Sequence, residues 1–272
     1  ASFFIAHPLA SGPYVFQEWA DTNAAGQFPE AMRFMQTSLI DPPLAASMDT
    51  PWPLAYNLPS QSRINGMGSQ GVAFVNTGDV QALPGAGFVG AAVVSLNTTG
   101  TQDIRVTWTG GTIAPNTRDY GIRLQYRVGT SGAYQDVLDS LGQPVEYVRN
   151  ATANHSQVIG PVNLPIAAEN QPLVEVRWKY YYRSGSSGSR ARLRVDDIQI
   201  NAGPVLASSL KFNSVPQYAQ AASTCPPVVV EVRGASGALA QDYTGSITLG
   251  LVESGGGLLG TLTRQATQGI AV

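Results

Sequence analysis

The two adjacent carboxylates Asp196 and Asp197 are the most distinctive chemical feature of the sequence. In LRVDDIQI (193–200) the apolar residues before the pair occupy odd positions and those after it even positions. One extra residue must therefore be absorbed at the pair, as in a β-bulge. Carboxylate oxygens are ligands that Ca²⁺ prefers, and Glu18 and Asp21 near the first predicted strand are candidates for the remaining ligands. Such an ion would clamp the first and last strands together without doing chemistry.

The alternative for this pair needs no metal. In a plain bulge, Asp196 accepts hydrogen bonds from nearby backbone amides while Asp197 faces the solvent. Short aspartate side chains commonly bond to the backbone where a strand is irregular.

A second candidate site is a row of basic side chains on the polar side of several predicted strands. If these strands are neighbours in one sheet, they present a surface rich in guanidinium groups that also carries an aromatic ring. Such a surface suits sugars, uronic acids, sulfates or phosphates, through bidentate and stacking contacts. The alternative is a solvated face paired across strands with Glu175 and Asp103. The residues of this predicted face are Arg105, Arg123, Gln125, Arg127, Arg177, Lys179, Tyr181, Arg192 and Arg194.

Trp52 differs from the other tryptophans because prolines flank it in a loop-like stretch close to Tyr56. A tryptophan in such a loop can stack on a sugar ring, and the alternative is that the loop packs on the sheet. The predicted ligand-binding residues are therefore Arg123, Arg127, Arg177, Lys179, Tyr181 and Trp52.

Catalytic motifs are scarce, and we predict that the chain is not an enzyme. His7 and His155 are the only histidines, and His155 lies in what reads as a polar turn. Neither G-x-S-x-G nor H-E-x-x-H occurs. Two G-x-G-x-x-G matches occur, at 66–71 and 255–260. The first lies in a predicted turn followed by the strand-like VAFV and the second in a predicted β-turn, so neither is followed by the helix that a dinucleotide site needs.

The elements that must position these side chains are β-strands. From Val174 to Tyr182, apolar or aromatic residues alternate with polar ones, which is typical of a strand with one buried face. Further alternations follow at spacings of roughly ten residues, with Gly, Asn and Pro between them, as in a sandwich or barrel. The fold class is therefore predicted as all-β, an antiparallel jelly-roll β-sandwich followed by a partial immunoglobulin-like β-sandwich. The predicted interior cluster, which is aromatic except for Ile122, consists of Trp108, Ile122, Tyr126, Trp178, Tyr180 and Tyr182.

Composition agrees with this class. The 272 residues include 29 glycines and 18 prolines, 43% are hydrophobic, and only 12% are charged. The net charge of −2 gives no electrostatic reason to expect a nucleic-acid partner. No apolar run approaches the ~20 residues of a membrane helix, so we expect no membrane insertion. The single cysteine, Cys225, allows no internal disulfide.

We place a domain boundary at Gly203–Pro204, where the strand pattern breaks. Residues 1–203 are predicted as the jelly-roll domain and 204–272 as the immunoglobulin-like module. The second module is short for a fold of about 100 residues, so we expect its last strands to be supplied elsewhere. An open sheet edge of this kind favours strand donation from a partner.

LRVDDIQI (193–200), after the YYY–GSSG hairpin, resembles the closing strands of jelly-roll carbohydrate-binding modules and lectin-like domains, and FQEW (16–19) loosely resembles their first strand. In those families an aspartate of this motif often joins a structural calcium site, which the resemblance places at Asp196 or Asp197. Residues 1–203 also resemble a module of large secreted proteins of Bacteroidetes-type bacteria, found ahead of immunoglobulin-like repeats and catalytic domains. This resemblance rests on NTTGTQDIRVTWTGGT, RLQYRVGTSGAYQDV and VRWKYYYRSGSSGSR.

The chain begins with Ala1 and not with methionine, as does a secreted protein after signal-peptide removal or a trimmed fragment. We predict a secreted or cell-surface, non-catalytic adhesion or structural module of a larger extracellular protein. Its expected partners are a polysaccharide or cell-surface glycan, further domains of the same polypeptide, or other copies of itself. Two alternatives remain: an accessory binding region of a secreted hydrolase or nuclease, and a filament subunit completed by strand donation.

Overall fold

A computed structural model describes residues 5–48, 50–78, 87–216, 224–250 and 260–272. These residues fold mainly into β-strands, with 3₁₀ turns at Leu9–Ser11 and Ile166–Ala168. Within the described ranges, no helix is long and apolar enough to cross a membrane. The strands of the N-terminal part are β1 (His7–Pro8), β2 (Tyr14–Phe16), β3 (Met32–Thr37), β4 (Thr50–Pro51), β5 (Arg63–Gly66), β6 (Val72–Val75), β7 (Phe88–Asn97), β8 (Thr101–Ala114), β9 (Asp119–Val128), β10 (Gln135–Asp136), β11 (Glu146–Val148), β12 (His155–Asn163), β13 (Val174–Ser184) and β14 (Arg192–Pro204).

These strands form two sheets. The first sheet has the order β10-β9-β13-β7-β3-β4, with β11 paired to β9 and β1 parallel to β7. The second sheet has the order β12-β8-β14-β6-β5, with β2 paired to β14. All pairings except β1–β7 are antiparallel. The inner faces of both sheets share one hydrophobic core, which confirms the predicted antiparallel β-sandwich.

The core contains the predicted aromatic cluster. Trp108 of the second sheet meets Trp178 of the first edge to face, with ring centroids 6.3 Å apart. Tyr180 stacks on Tyr120 at 4.5 Å. Tyr182 is only partly buried and packs at the border of the core. Offset and edge contacts of this kind add to the free energy gained by burying the rings.

The predicted bulge lies in β14. The register with β8 shifts between Asp196 and Gln199, and Asp197 has a left-handed backbone with φ of 46°. The shift lets Val195 before the bulge and Ile198 after it both point into the core. The sequence prediction that one extra residue is absorbed at this pair is confirmed.

Strands β5 and β12 depart from the prediction. β5 lies just before Val72, in a segment expected to be a turn. His155, expected in a polar turn, begins β12, which pairs with β8 at the edge of the second sheet. Most of β12 is exposed, and Val158 points into solvent. Because neither face of β12 is deeply buried, its sequence lacks the alternation that identified the other strands.

The C-terminal part has a small core of its own, which includes Val205, Val230, Val232 and Ile247. The predicted boundary at Gly203–Pro204 coincides with the end of β14, and both the boundary and the immunoglobulin-like assignment stay predictions. The alternation of Ile247, Leu249 and Leu251 also predicts a strand, and the structure has one at Ser246–Thr248. Leu251, and Gly255 and Gly257 of the second glycine motif, lie outside the described residues. The strands of this part are β15 (Ser209–Ser214), β16 (Val229–Arg233), β17 (Ser246–Thr248), β18 (Thr263–Gln265) and β19 (Ile270–Ala271), in a β15-β16-β19 sheet and a β17-β18 hairpin.

The turn between β5 and β6 provides a test of how closely the bulge is packed. Gly68 and Gly71 both have positive φ, but a Cβ on Gly71 would lie 2.2 Å from the Val195 carbonyl oxygen, whereas one on Gly68 would meet nothing within 4 Å. Gly68→Ala should cost about 1 kcal/mol, because an alanine adopts this backbone poorly. Gly71→Ala should cost roughly 3 kcal/mol or more, since it adds a clash with rigid backbone. Urea unfolding measures both, and equal losses would contradict the packing described here.

Candidate functional site

The outward-facing residues of β9 and β13 form the candidate site. The two strands are paired so that Arg127 lies opposite Glu175, Gln125 opposite Arg177, and Arg123 opposite Lys179. The predicted basic residues of β9 and β13 are therefore neighbours on the first sheet.

The row is not one continuous surface, however. Arg105 lies on β8, and Arg192 and Arg194 lie on β14, so all three belong to the second sheet. The expectation of a single face is wrong because alternation along a strand does not reveal which sheet the strand joins.

The expected exposure of the row is also wrong. Lys179 has no exposed surface, and Arg177 and Tyr181 are 6% and 7% exposed. The cover includes the strap, which we define as residues 38–48 between β3 and β4. The Lys179 ammonium donates a hydrogen bond to the Ala46 carbonyl oxygen of the strap.

Apolar contacts hold the strap on the outer surface of the first sheet. Ala46 and Met48 of the strap pack with Met35, Ala91 and Val93 in a cluster separate from the main core. The sheet is therefore buried on both faces here, which explains how a polar row can be inaccessible.

Asp41 fixes the start of the strap. Its carboxylate accepts hydrogen bonds from Arg118 at 2.6 Å, from Arg190 at 2.6 and 3.1 Å, and from the Tyr120 hydroxyl. Partial burial would raise the pKa of Asp41, but the bonds from Arg190 and Tyr120 and the two guanidinium charges outweigh it and lower this pKa. The main-chain amide of Tyr182 also donates to the Pro42 carbonyl at 2.9 Å.

The part of the polar row next to the strap remains open as a pocket of about 540 Å³, here called the Tyr134 pocket. Residues 44–47 of the strap form one wall, and residues 132–134 form another. Gln125, Arg127, Asp136 and Arg177 also line the pocket.

Tyr134 organises the cations of this pocket. The guanidinium carbon of Arg177 lies 3.7 Å from the centre of its ring, and that of Arg127 lies 4.3 Å away. Both distances are within the range of cation–π attraction. The Tyr134 hydroxyl and Arg127 Nε both donate to Glu175 Oε2, at 2.5 and 2.6 Å. Burial, with the nearby charge of Glu175, raises the pKa of Tyr134 above its ordinary value, so the phenol stays protonated as a donor.

A second chain of hydrogen bonds crosses the site. Arg177 Nε donates to Gln125 Oε1 at 2.8 Å, and Gln125 Nε2 donates to Asp136 Oδ1 at 2.7 Å. Arg123 binds the other oxygen of Asp136 at 2.5 Å. Since each side chain is held by a neighbour, the pocket presents its donors and acceptors in fixed positions.

Arg123 and Tyr181 lie beside the pocket. Glu146 accepts hydrogen bonds from Arg123 at 2.9 Å and from the Tyr181 hydroxyl at 2.6 Å. Burial and Glu146 raise the pKa of Tyr181. Of the predicted ligand-binding residues, Arg127 and Arg177 line the pocket, whereas Arg123, Lys179 and Tyr181 support its surroundings.

Trp52 is not at a surface. Its side chain has no exposed area and belongs to the main core, while its main-chain amide donates to Phe34 at 2.8 Å. The proposed stacking platform is therefore wrong in this structure, because the proline-flanked loop packs inward.

Tyr134, Asp136 and Glu146 were missed by sequence reasoning, although they complete the site. Tyr134 and Asp136 follow the glycine turn GTSGA, and Glu146 lies in the short strand β11. The available signal was the aromatic residue close to a carboxylate in YQD, directly after the strand that carries Arg123 and Arg127.

The predicted calcium ligands are arranged differently. Asp196 is 3% exposed; its Oδ2 accepts from Arg194 at 2.6 Å and its Oδ1 from the amide of Asp197 at 2.8 Å. Burial raises the pKa of Asp196 despite the opposing effect of Arg194. Asp197, Glu18 and Asp21 are exposed.

In this arrangement the guanidinium of Arg194 is the partner of the buried Asp196 carboxylate. Across the described residues, no group of three or more His, Cys, Asp or Glu side chains could hold a metal ion. The contacts correspond to the metal-free bulge, and calcium binding at Asp196 and Asp197 stays a prediction.

No protein-family model matches this sequence, and comparison with curated proteins found no match. Two solved structures are similar in part. A mutant of Xylanase10C from Cellvibrio japonicus in complex with xylopentaose has 13% identity to this chain and a TM-score of 0.31. The match covers 55% of this chain and only 27% of the xylanase chain. A cleaved adhesin domain of Lys-gingipain has 10% identity and a TM-score of 0.34, over 71% of this chain and 99% of that one. Neither similarity assigns a ligand or an activity to this chain.

Asp41→Asn tests the attachment of the strap. Because its pKa is lowered in the folded state, the Asp41 carboxylate stabilises the protein above about pH 4, and this contribution disappears as the pH falls through the lowered value. The variant should lose about 1 to 3 kcal/mol near neutral pH, and the difference should shrink in acid. Urea unfolding across this range measures it, with Asp21→Asn as an exposed control. A loss independent of pH would contradict the ion pair.

Calcium binding is tested with Asp197→Ala. If an ion bridges the bulge, the variant should lower the melting temperature in millimolar calcium but not in chelator. Equal losses in both buffers, or no effect of calcium on the unaltered protein, would rule out the ion and leave the metal-free bulge.

Proposed function

We propose that this chain is a non-catalytic binding module of a secreted or cell-surface protein and that the Tyr134 pocket binds an oligosaccharide. The observation that carries the proposal is the lining of this pocket. Two guanidinium groups, an amide and a carboxylate surround one tyrosine ring, and all are held in place by hydrogen bonds.

Such a lining suits a ligand with many hydroxyl groups. Planar guanidinium and amide groups donate to hydroxyl or carboxylate oxygens in fixed directions, and Asp136 accepts from hydroxyls. The fixed network lowers the entropy lost on binding, because few side chains must be ordered.

The absence of catalysis is part of the proposal. Asp136 and Glu175 are each ion-paired with an arginine and accept a second side-chain hydrogen bond, so both carboxylates hold neighbouring side chains in place. In the described part of the chain, His155 Nδ1 bonds to the Tyr147 hydroxyl and His7 Nε2 to the Gly12 carbonyl, both neutral partners.

A glycan array with the whole chain tests the proposal, followed by calorimetry with the best ligand. Ala133→Trp places a large ring at the mouth of the pocket without removing a polar contact, and it should weaken binding about tenfold or more, equivalent to about 1.4 kcal/mol. Arg127→Lys keeps the charge but loses the planar fork, and it should also weaken binding.

Two matched controls separate the pocket from general effects. Ala153→Trp adds the same ring at an exposed site before β12, and Arg183→Lys makes the same exchange on β13 outside the pocket lining. Both should bind like the unaltered chain. A blank array, or full binding by Ala133→Trp, would refute the pocket as a glycan site.

Strand donation is a second candidate that one observation favours. All six residues of β15 are exposed, with Leu210 and Phe212 at 59% and 58%, and among the described residues β15 pairs with β16 alone. An edge of this kind can accept a further strand. An accessory role beside a hydrolase or nuclease domain is compatible with either candidate.

A further inference from the structure

Two arginines on the outer face of the second sheet lie close together, and among the described residues no carboxylate bridges them. Arg63 on β5 and Arg192 on β14 alternate with the core residues Ile64 and Leu193, so both point away from the core. Arg63 Nε and Arg192 Nη2 each donate to Asn65 Oδ1 at 3.0 Å. Because both bonds end on one oxygen, the two nitrogens are at most 6.0 Å apart.

The shared acceptor is held rigidly. Asn65 is buried, and its Nδ2 donates to the Tyr56 and Leu58 carbonyl oxygens, both at 3.1 Å. These two bonds fix the amide so that its oxygen faces the arginines. Asn65 therefore brings two like charges together, which would be unfavourable without a compensating anion.

In the described ranges, the other hydrogen-bond partners of the two arginines are also uncharged. Arg63 donates to the Gln61 carbonyl at 2.9 Å, and Arg192 approaches the Met67 sulfur at 3.4 Å. Within the described ranges neither arginine forms a salt bridge, and Arg192 Nε has no hydrogen-bond partner. Burial, and the charge of Arg63, lower the pKa of Arg192, while burial lowers that of Arg63.

The contrast with other arginines of the chain is informative. Arg123 and Arg127 are paired with carboxylates on the first sheet, and Arg194, two residues from Arg192, is paired with Asp196. The half-buried Arg63–Arg192 pair lacks this neutralisation, although one acidic residue at Asn65 would supply it.

We propose that Arg63 and Arg192 form a second binding site on the face opposite the Tyr134 pocket. The site holds the oxyanion of an acidic ligand, which is either a carboxylate or a sulfate. The forked guanidinium groups would each bind the anion through charge-assisted hydrogen bonds. The site is independent of glycan binding in the Tyr134 pocket.

Arginine side-chain NMR on the whole chain tests this site directly. The probes are sodium sulfate and sodium glucuronate, each titrated with sodium chloride adjusted to keep the ionic strength constant. The Nε–Hε signals of Arg63 and Arg192 should shift and saturate. The signal of Arg105, exposed on the outer face of the same sheet, should not.

Arg63→Gln provides the decisive variant. It leaves no carboxylate unpaired and removes a like charge, so the protein should stay folded, which its remaining spectrum shows. The anion concentration that half-saturates the Arg192 signal should then rise about tenfold or more, because one charged donor is lost. Saturation by sulfate alone, by glucuronate alone or by both supports the site and identifies the oxyanion. Shifts that fail to saturate, shifts that Arg105 shares, or an Arg192 response unchanged in Arg63→Gln would overturn it.

Discussion

The structure depends on a sheet that is buried on both of its faces at β13. The inward side chains Val174, Val176, Trp178 and Tyr180 fill the sandwich core. Their outward neighbours are buried as well, and Lys179 among them contacts the strap. A charged side chain that is withdrawn from water must find a partner, or its burial is costly. The polar row of β9 and β13 is accordingly a connected network in which Glu175, Gln125 and Asp136 bond to neighbouring arginines.

The Tyr134 pocket follows from the same constraint. The strap covers Lys179 but leaves a gap beside Arg127 and Arg177, where the network reaches the surface. Asp41 therefore influences the pocket at a distance, because its bonds to Arg118 and Arg190 hold the segment that supplies one wall. In physical terms the pocket is an opening in a buried polar network and not a basic patch exposed to solvent.

The sequence was most informative where one face of a strand contacts the core. The alternation in β13 identified its inward aromatic residues, and the change of parity located the bulge at Asp196–Asp197, because a one-residue shift reverses every side chain. It was uninformative where neither face is deeply buried, as in β12. It misled where both faces are buried, since Lys179 and Arg177 have the spacing of exposed residues.

Other features depended on tertiary contacts that no local pattern contains. The strap has no regular structure, so its position over the sheet could not be derived from periodicity. Trp52 shows the same limit: prolines beside it indicate a loop, but not whether that loop packs inward. The assignment of Arg105, Arg192 and Arg194 to the second sheet required strand order, which sequence alternation does not encode.

Two arginine pairs on the outer faces of the sandwich differ in how their positive charge is compensated. On the first sheet, Arg123 and Arg127 are matched by nearby acids, so their role is to hold a fixed pattern of donors and acceptors. On the second sheet, Arg63 and Arg192 are also held by hydrogen bonds, but their shared acceptor is the neutral Asn65. Because Asn65 is neutral, it leaves the positive charge of the pair uncompensated, whereas an acidic residue at this position would cancel half of it. Under the two proposals, a ligand of the Tyr134 pocket is recognised mainly by the geometry of its polar groups, and a ligand of the Arg63–Arg192 site by its charge.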